Sequence, residues 1–169
     1  MKNIKHISRA KKMRWFGLTK GKPRHLNRIT ELGYKYNMTN ISAAIGILQL
    51  ETFTRNLKKY IYNGNFLTNE LNKGHLIKPA SVSMNEFPSY WFFTGIAKNS
   101  TKIIKNLNQY NIGASKVHIP NHKHPIFFKS VRHPLTNTEN FYKKLIHLPT
   151  GWWVNKNNLK LIIEIINKE

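Results

Sequence analysis

The chain has 169 residues, of which 28 are Lys or Arg and seven are Asp or Glu, giving a formal net charge of +21. Hydrophobic residues make up 40% and cysteine is absent, which excludes a disordered chain, a disulfide framework and a thiolate metal site. No apolar run approaches the roughly 20 residues of a membrane-spanning helix, and the basic N-terminus precedes no signal-peptide core, so a soluble cytoplasmic protein is expected.

The opening stretch is rich in Lys and Arg, and Ile4 to Phe16 predicts a short helix that stops at Gly17. Gly21 and Pro23 mark the loop after it. Tyr34, Lys35, Tyr36 and Asn37 then alternate as an extended segment does, which sends Lys35 and Asn37 to one side. Thr39 or Asn40 can cap the helix that follows, since either side chain accepts a bond from a first-turn N–H. Ile41, Ala44, Ile45 and Leu48 recur at three- and four-residue spacing and predict a buried helix face. The pattern continues through Leu57, Tyr60, Ile61, Leu67 and Leu71 to a stop at Gly74. A helix from Thr39 to about Asn72 measures roughly 45 Å at about 1.5 Å per residue, enough to cross a domain. The boundary is therefore expected near residue 74, dividing a segment 1–74 from a domain 75–169.

Beyond that boundary, Leu76–Ala80 and Tyr90–Ala97 read as strands, the second nearly continuous in aromatic and apolar residues. Ser100 is the expected cap of a helix carrying Ile103, Ile104 and Leu107. Ala114–Ile119 reads as a third strand, Pro120, Pro125 and Pro134 as a loop-forming series, and Thr138–Ile146 as a helix. LPTG is a turn, and Asn155–Asn167 a last helix with Leu159, Ile162, Ile163 and Ile166 inward. This order predicts a small α+β sandwich within the α/β class.

The run GYKYNMTNISAAIGILQLE resembles a motif of the DegT/DnrJ/StrS-type nucleotide-sugar aminotransferases, in which Gly-Tyr-x-Tyr-x-(Met/Leu)-Thr-(Asp/Asn)-Ile-x-Ala-Ala opens a long helix. Arg14 to Gly17 resembles the family's Arg-(Trp/Asn)-(aromatic/His)-Gly turn, and NIGASKVHIPNHKHPIF and HLPTGWWVNKNNLKLIIEII resemble its C-terminal stretches. The resemblance implies the C-terminal part of a fold-type I transferase dependent on pyridoxal 5'-phosphate. In such an enzyme a long interface helix leads from the large domain into the small one. Ile119 stands where the family usually has Tyr, and Trp152–Trp153 replaces a small Pro-Gly turn.

By the same resemblance, Lys35 and Asn37 contact the cofactor phosphate of the neighbouring subunit of a homodimer, and His118 lies near the sugar nucleotide. Lys35 can neutralise phosphate charge and Asn37 can donate an amide hydrogen bond. No lysine here stands in the family's Ser-Phe-x-x-x-Lys setting ahead of a Gly-Glu-Gly-Gly strand, so no catalytic residue is assigned. The implied partners are a second copy or an N-terminal half-enzyme, since the apolar side of residues 41–61 would pack against a large-domain sheet. A purely structural histidine at a strand end is the competing reading of His118.

His118, His122, His124 and His133 lie close in sequence, but their spacing matches no helical or hairpin ligand pair, and no metal site is expected. The competing function is a basic nucleic-acid-binding module using Trp15, Tyr90 and Trp91. Against it, the positive charge is spread from Lys2 to Lys168, and Lys, Asn and Ile are abundant together, a compositional bias that needs no ligand.

Overall fold

The computed structural model describes residues 4–130 and 133–168. The chain divides into two compact units, one ending at Glu51 and the other beginning at Thr52. In the first, helix α1 (Ile4–Met13) buries no side chain. It is closed by bonds from the Trp15 and Gly17 N–H groups to the Lys12 carbonyl, each 2.9 Å long. The chain returns at Gly33, where a Cβ would collide with the amide nitrogen of Gly17, so this crossing requires glycine. The helix α2 (Asn40–Asn72) starts in this unit and ends in the second.

The second unit is built on a three-stranded antiparallel sheet of order β1-β2-β3. Its strands are β1 (Ile77–Pro79), β2 (Phe92–Ala97) and β3 (Leu145–Pro149). Helices α3 (Ser100–Gln109), α4 (Thr136–Lys144) and α5 (Lys156–Asn167) complete it. Strand β2 alternates, burying Phe93, Gly95 and Ala97, whereas β3 buries four residues in a row. One apolar cluster joins Leu67 and Leu71 of α2, Ile103 and Leu107 of α3, and Leu159, Ile162 and Ile166 of α5 to Phe93, Ile146 and Leu148 of the sheet. Asn155 caps α5 in a reciprocal box with Asn158, satisfying first-turn donors at 2.9 and 3.0 Å. The architecture is α+β, and among the described residues no helix is long and apolar enough to cross a membrane.

Several expectations are corrected. Ala114–Ile119 is not a strand: only Ser115 pairs, exchanging two backbone bonds with His147. The next available donor, the Val117 N–H, bonds the His147 ring instead of a carbonyl, and the ladder stops there. The third strand is β3, so the helix expected to reach Ile146 ends at Lys144. Ser100 does not cap α3; its buried Oγ donates to the Lys143 carbonyl at 2.7 Å and ties α3 to the end of α4. Ile41, Ala44, Ile45 and Leu48 are exposed, because no described residue of the chain packs on that face. The compact units part at Glu51, within α2, and Leu67 and Leu71 belong to the second unit's core.

Candidate functional site

In the first unit, the two basic-aromatic runs pair with each other. Trp15 and Lys35 form an antiparallel bridge, with the Tyr34 N–H on the Met13 carbonyl at 2.8 Å and the Tyr36 N–H on the Arg14 carbonyl at 3.0 Å. Lys35 is exposed and Asn37 half-buried, and the Asn37 Oδ1 is buried with no hydrogen-bond partner. Two residues on, Thr39 Oγ1 accepts the Ser42 N–H at 3.1 Å, so Thr39 is the residue that caps α2. A cation and an amide therefore stand just ahead of a capped helix N-terminus, where each can take a phosphate oxygen.

In the second unit, His118 is exposed on the segment that leaves the Ser115 bridge, its ring centroid 6.4 Å from that of Trp91. Beneath this segment lies His147, which the sequence reading missed. Its ring is buried against Phe92, centroids 4.4 Å apart, and its Nδ1 accepts the Val117 N–H at 3.0 Å. Burial pushes the His147 pKa down, and the nearby His118 lowers it further. The neutral ring then carries its proton on Nε2 and anchors the residue next to His118. The available signal was a lone histidine within the apolar run LIHLP.

His122 belongs to a different cluster from His118. Its Nε2 lies 2.6 Å from Glu139 Oε1, while Lys123 Nζ contacts the other carboxylate oxygen at 2.9 Å. Hydrogen bonds from Lys123 and then His122 hold the Glu139 carboxyl below its ordinary range. Lys116 and Lys123 each sit 5.2 Å from the Tyr142 ring centre, and Lys116 donates to the Lys143 carbonyl. This fastens the loop after His118 to α4. Among the described residues, no group of three or more His, Cys, Asp or Glu side chains is placed to hold a metal ion.

The chain is 35% identical over 130 residues to an uncharacterized protein of Methanocaldococcus jannaschii, covering 72% of this chain and 34% of that one. It is 26% identical over 166 residues to the UDP-4-amino-4,6-dideoxy-N-acetyl-beta-L-altrosamine transaminase of Campylobacter jejuni serotype O:23/36, covering 95% and 44%. The crystal structure of the sugar aminotransferase CalS13 from Micromonospora echinospora shares its fold, with a TM-score of 0.87 at 23% identity over 93% of this chain and 43% of that one. The chain thus spans less than half the length of these relatives. A profile of one family matches residues 2–167, nearly the full length. The chain belongs to the DegT/DnrJ/EryC1/StrS aminotransferase family.

Proposed function

We propose that this chain supplies the C-terminal portion of a pyridoxal-phosphate-dependent aminotransferase acting on keto-sugar nucleotides, and that alone it transfers no amino group. The observation that carries this reading is the bridge between Trp15 and Lys35, which sets Lys35 and Asn37 before the α2 cap. The cofactor, when bound, supplies the electron sink for transamination. The residues here fit its phosphate and nothing more of it. Exposed Lys35 brings the charge and the Asn37 amide a donor, both directed to a site completed by another polypeptide. His118 is the substrate-side residue in this reading. The substrate class follows the Campylobacter relative, whose name specifies a UDP-linked amino sugar. Residues 1–74 then belong with the large domain, and residues 75–169 form the small domain, packed on the last turns of α2.

The test pairs this chain with a polypeptide carrying the N-terminal half of the enzyme. Glutamate-dependent amination of a keto-sugar nucleotide should be absent for the chain alone and appear on mixing. Lys35→Ala and Asn37→Ala should each weaken cofactor affinity by about 1–3 kcal/mol, the worth of a charge-assisted hydrogen bond. Borohydride trapping with pyridoxal phosphate should label the lysines of the isolated chain sparsely and at scattered positions. One stoichiometrically labelled lysine together with amination by the chain alone would overturn the reading.

A further inference from the structure

The segment that carries His118 leaves the bridge at Ser115 and runs towards α4, and no residue from Val117 to Phe127 is buried. Apolar packing therefore does not hold it in place. Its backbone bonds are local: the Lys123 N–H reaches the Pro120 carbonyl at 2.9 Å, His124 that of Asn121 at 3.0 Å, and Phe127 that of His124 at 2.9 Å. At the near end, the Val117 N–H is fixed on the His147 ring. At the far end, two side chains meet on one group, the Glu139 carboxylate in the first turn of α4. His122 Nε2 takes one oxygen at 2.6 Å and Lys123 Nζ the other at 2.9 Å. A neutral His122 with its proton on Nε2 still donates to that oxygen, so the carboxylate is the member that cannot be spared. Glu139 is the only acidic residue from Phe87 to Ile163, a stretch with ten lysines and one arginine. Lys116 and Lys123 also lie over Tyr142 of α4, beside Lys143 and Lys144. Without the carboxylate, this segment and the helix would present only positive charge to each other.

We propose that Glu139 is a positioning residue for His118: it latches residues 118–127 to α4 as a strap, and loss of its charge frees that strap and lets the His118 ring leave Trp91. His118 stands one residue past the tie at Val117 and four before His122, so it lies between hinge and latch. Its ring, 6.4 Å from that of Trp91, is placed by both. His147 fixes where the strap begins, and Glu139 fixes the direction it takes. The consequence for catalysis rests on the substrate-side reading of His118; the latch itself does not, and it is tested without substrate.

The test is amide–water exchange and imidazole NMR on the full chain at neutral pH. In Glu139→Gln, the Lys123, His124 and Phe127 amides should exchange about fivefold faster, the worth of exposed ion pairs, while those of Ser115 and Val117 hold their rates. The His118 ring signals should lose the ring-current shift of Trp91 and move towards their positions in Trp91→Leu. Glu139→Asp, which keeps the charge, should restore much of both readouts. Lys123→Met and His122→Gln act from the strap side and leave α4 untouched, and each should reproduce part of the effect. They decide the matter if Glu139→Gln disturbs the helix. Exchange at Ser115 that rises as much as at Lys123 would mean a general loosening of the unit and would overturn the proposal. So would wild-type His118 signals in Glu139→Gln, or equal effects of the Gln and Asp variants.

Discussion

At the scale of single residues, His147 shows how a side chain given no role by motif can set the geometry beside one that has a role. His118 is legible because it follows Val117 in a stretch resembling the family's pattern, whereas His147 falls between the expected helix Thr138–Ile146 and the LPTG turn and draws no reading of its own. Only the fold places its Nδ1 on the Val117 N–H, at 3.0 Å. That bond needs an unprotonated ring, and burial supplies it by holding the folded-state pKa below the ordinary value. The linkage follows directly. Above the ordinary histidine pKa of about 6.5, both folded and unfolded states are neutral and the contribution is complete. As pH falls below that value the unfolded state takes up a proton first, and stability drops until pH passes the folded pKa. Urea unfolding at pH 7.5 and at 5.5 should show this loss in the wild type. His147→Phe keeps the ring packing but strands the Val117 N–H, so it should cost about 1–3 kcal/mol at pH 7.5. It should also have a shallower pH dependence. Equal pH dependence in the two proteins would remove His147 as the source. Lys35 and Asn37 are singled out by alternation and resemblance, yet the orphaned Oδ1 of Asn37 is a property of packing.

At the scale of elements, regular periodicity made the helices readable, and competing side-chain bonds hid the exceptions. The long helix was expected from Thr39 to about Asn72, and α2 runs from Asn40 to Asn72. Strand β3 was missed because LIHLP is apolar on both faces and follows a helical pattern without a break, so period alone could not end α4. The middle of α2 contains a junction that no motif announced. The buried Asn63 Nδ2 reaches the carbonyls of Thr150, Gly151 and Val154 at 3.0–3.1 Å, and Thr150 Oγ1 donates to the Tyr90 carbonyl at 2.6 Å. Beside it, a Cβ on Gly64 would overlap the Tyr90 ring, so this glycine is kept for a close approach. Helix propensity alone would make Gly64→Ala stabilising by about 1 kcal/mol. The overlap should reverse that sign and destabilise the second unit by about 1–3 kcal/mol. Asn63→Ala, which leaves three carbonyls short of a donor, should lose a similar amount. A double-mutant cycle separates the causes: Tyr90→Ala should relieve much of the Gly64→Ala penalty and little of the Asn63→Ala penalty. Additive effects for Gly64 and Tyr90 would mean that the ring does not govern the site.

At the scale of the whole molecule, two surface properties oppose each other. The net charge of +21 was plain from composition and makes copies of the chain repel. The apolar stripe at the start of α2 was also plain, but its partner was not. Helical spacing reports that a face is apolar, not which polypeptide covers it. Here Ile41, Ile45 and Leu48, at 76%, 56% and 61% exposure, lie one and two turns apart with no described residue over them. Such a stripe drives association, and the charge resists it through a field that salt screens over about 10 Å at 0.1 M. Self-association of the isolated chain should therefore strengthen as sodium chloride rises. Electrostatic binding to nucleic acid must do the opposite, because its affinity comes from counterion release. Light scattering at 0.05 and 0.5 M salt, on nuclease-treated protein, distinguishes the two. Ile45→Lys, which places a charge in the centre of the stripe, should shift the chain towards monomer and reduce binding of a hydrophobic dye. A monomer at every salt concentration, or an assembly that dissolves on adding salt, would show that the stripe does not direct association.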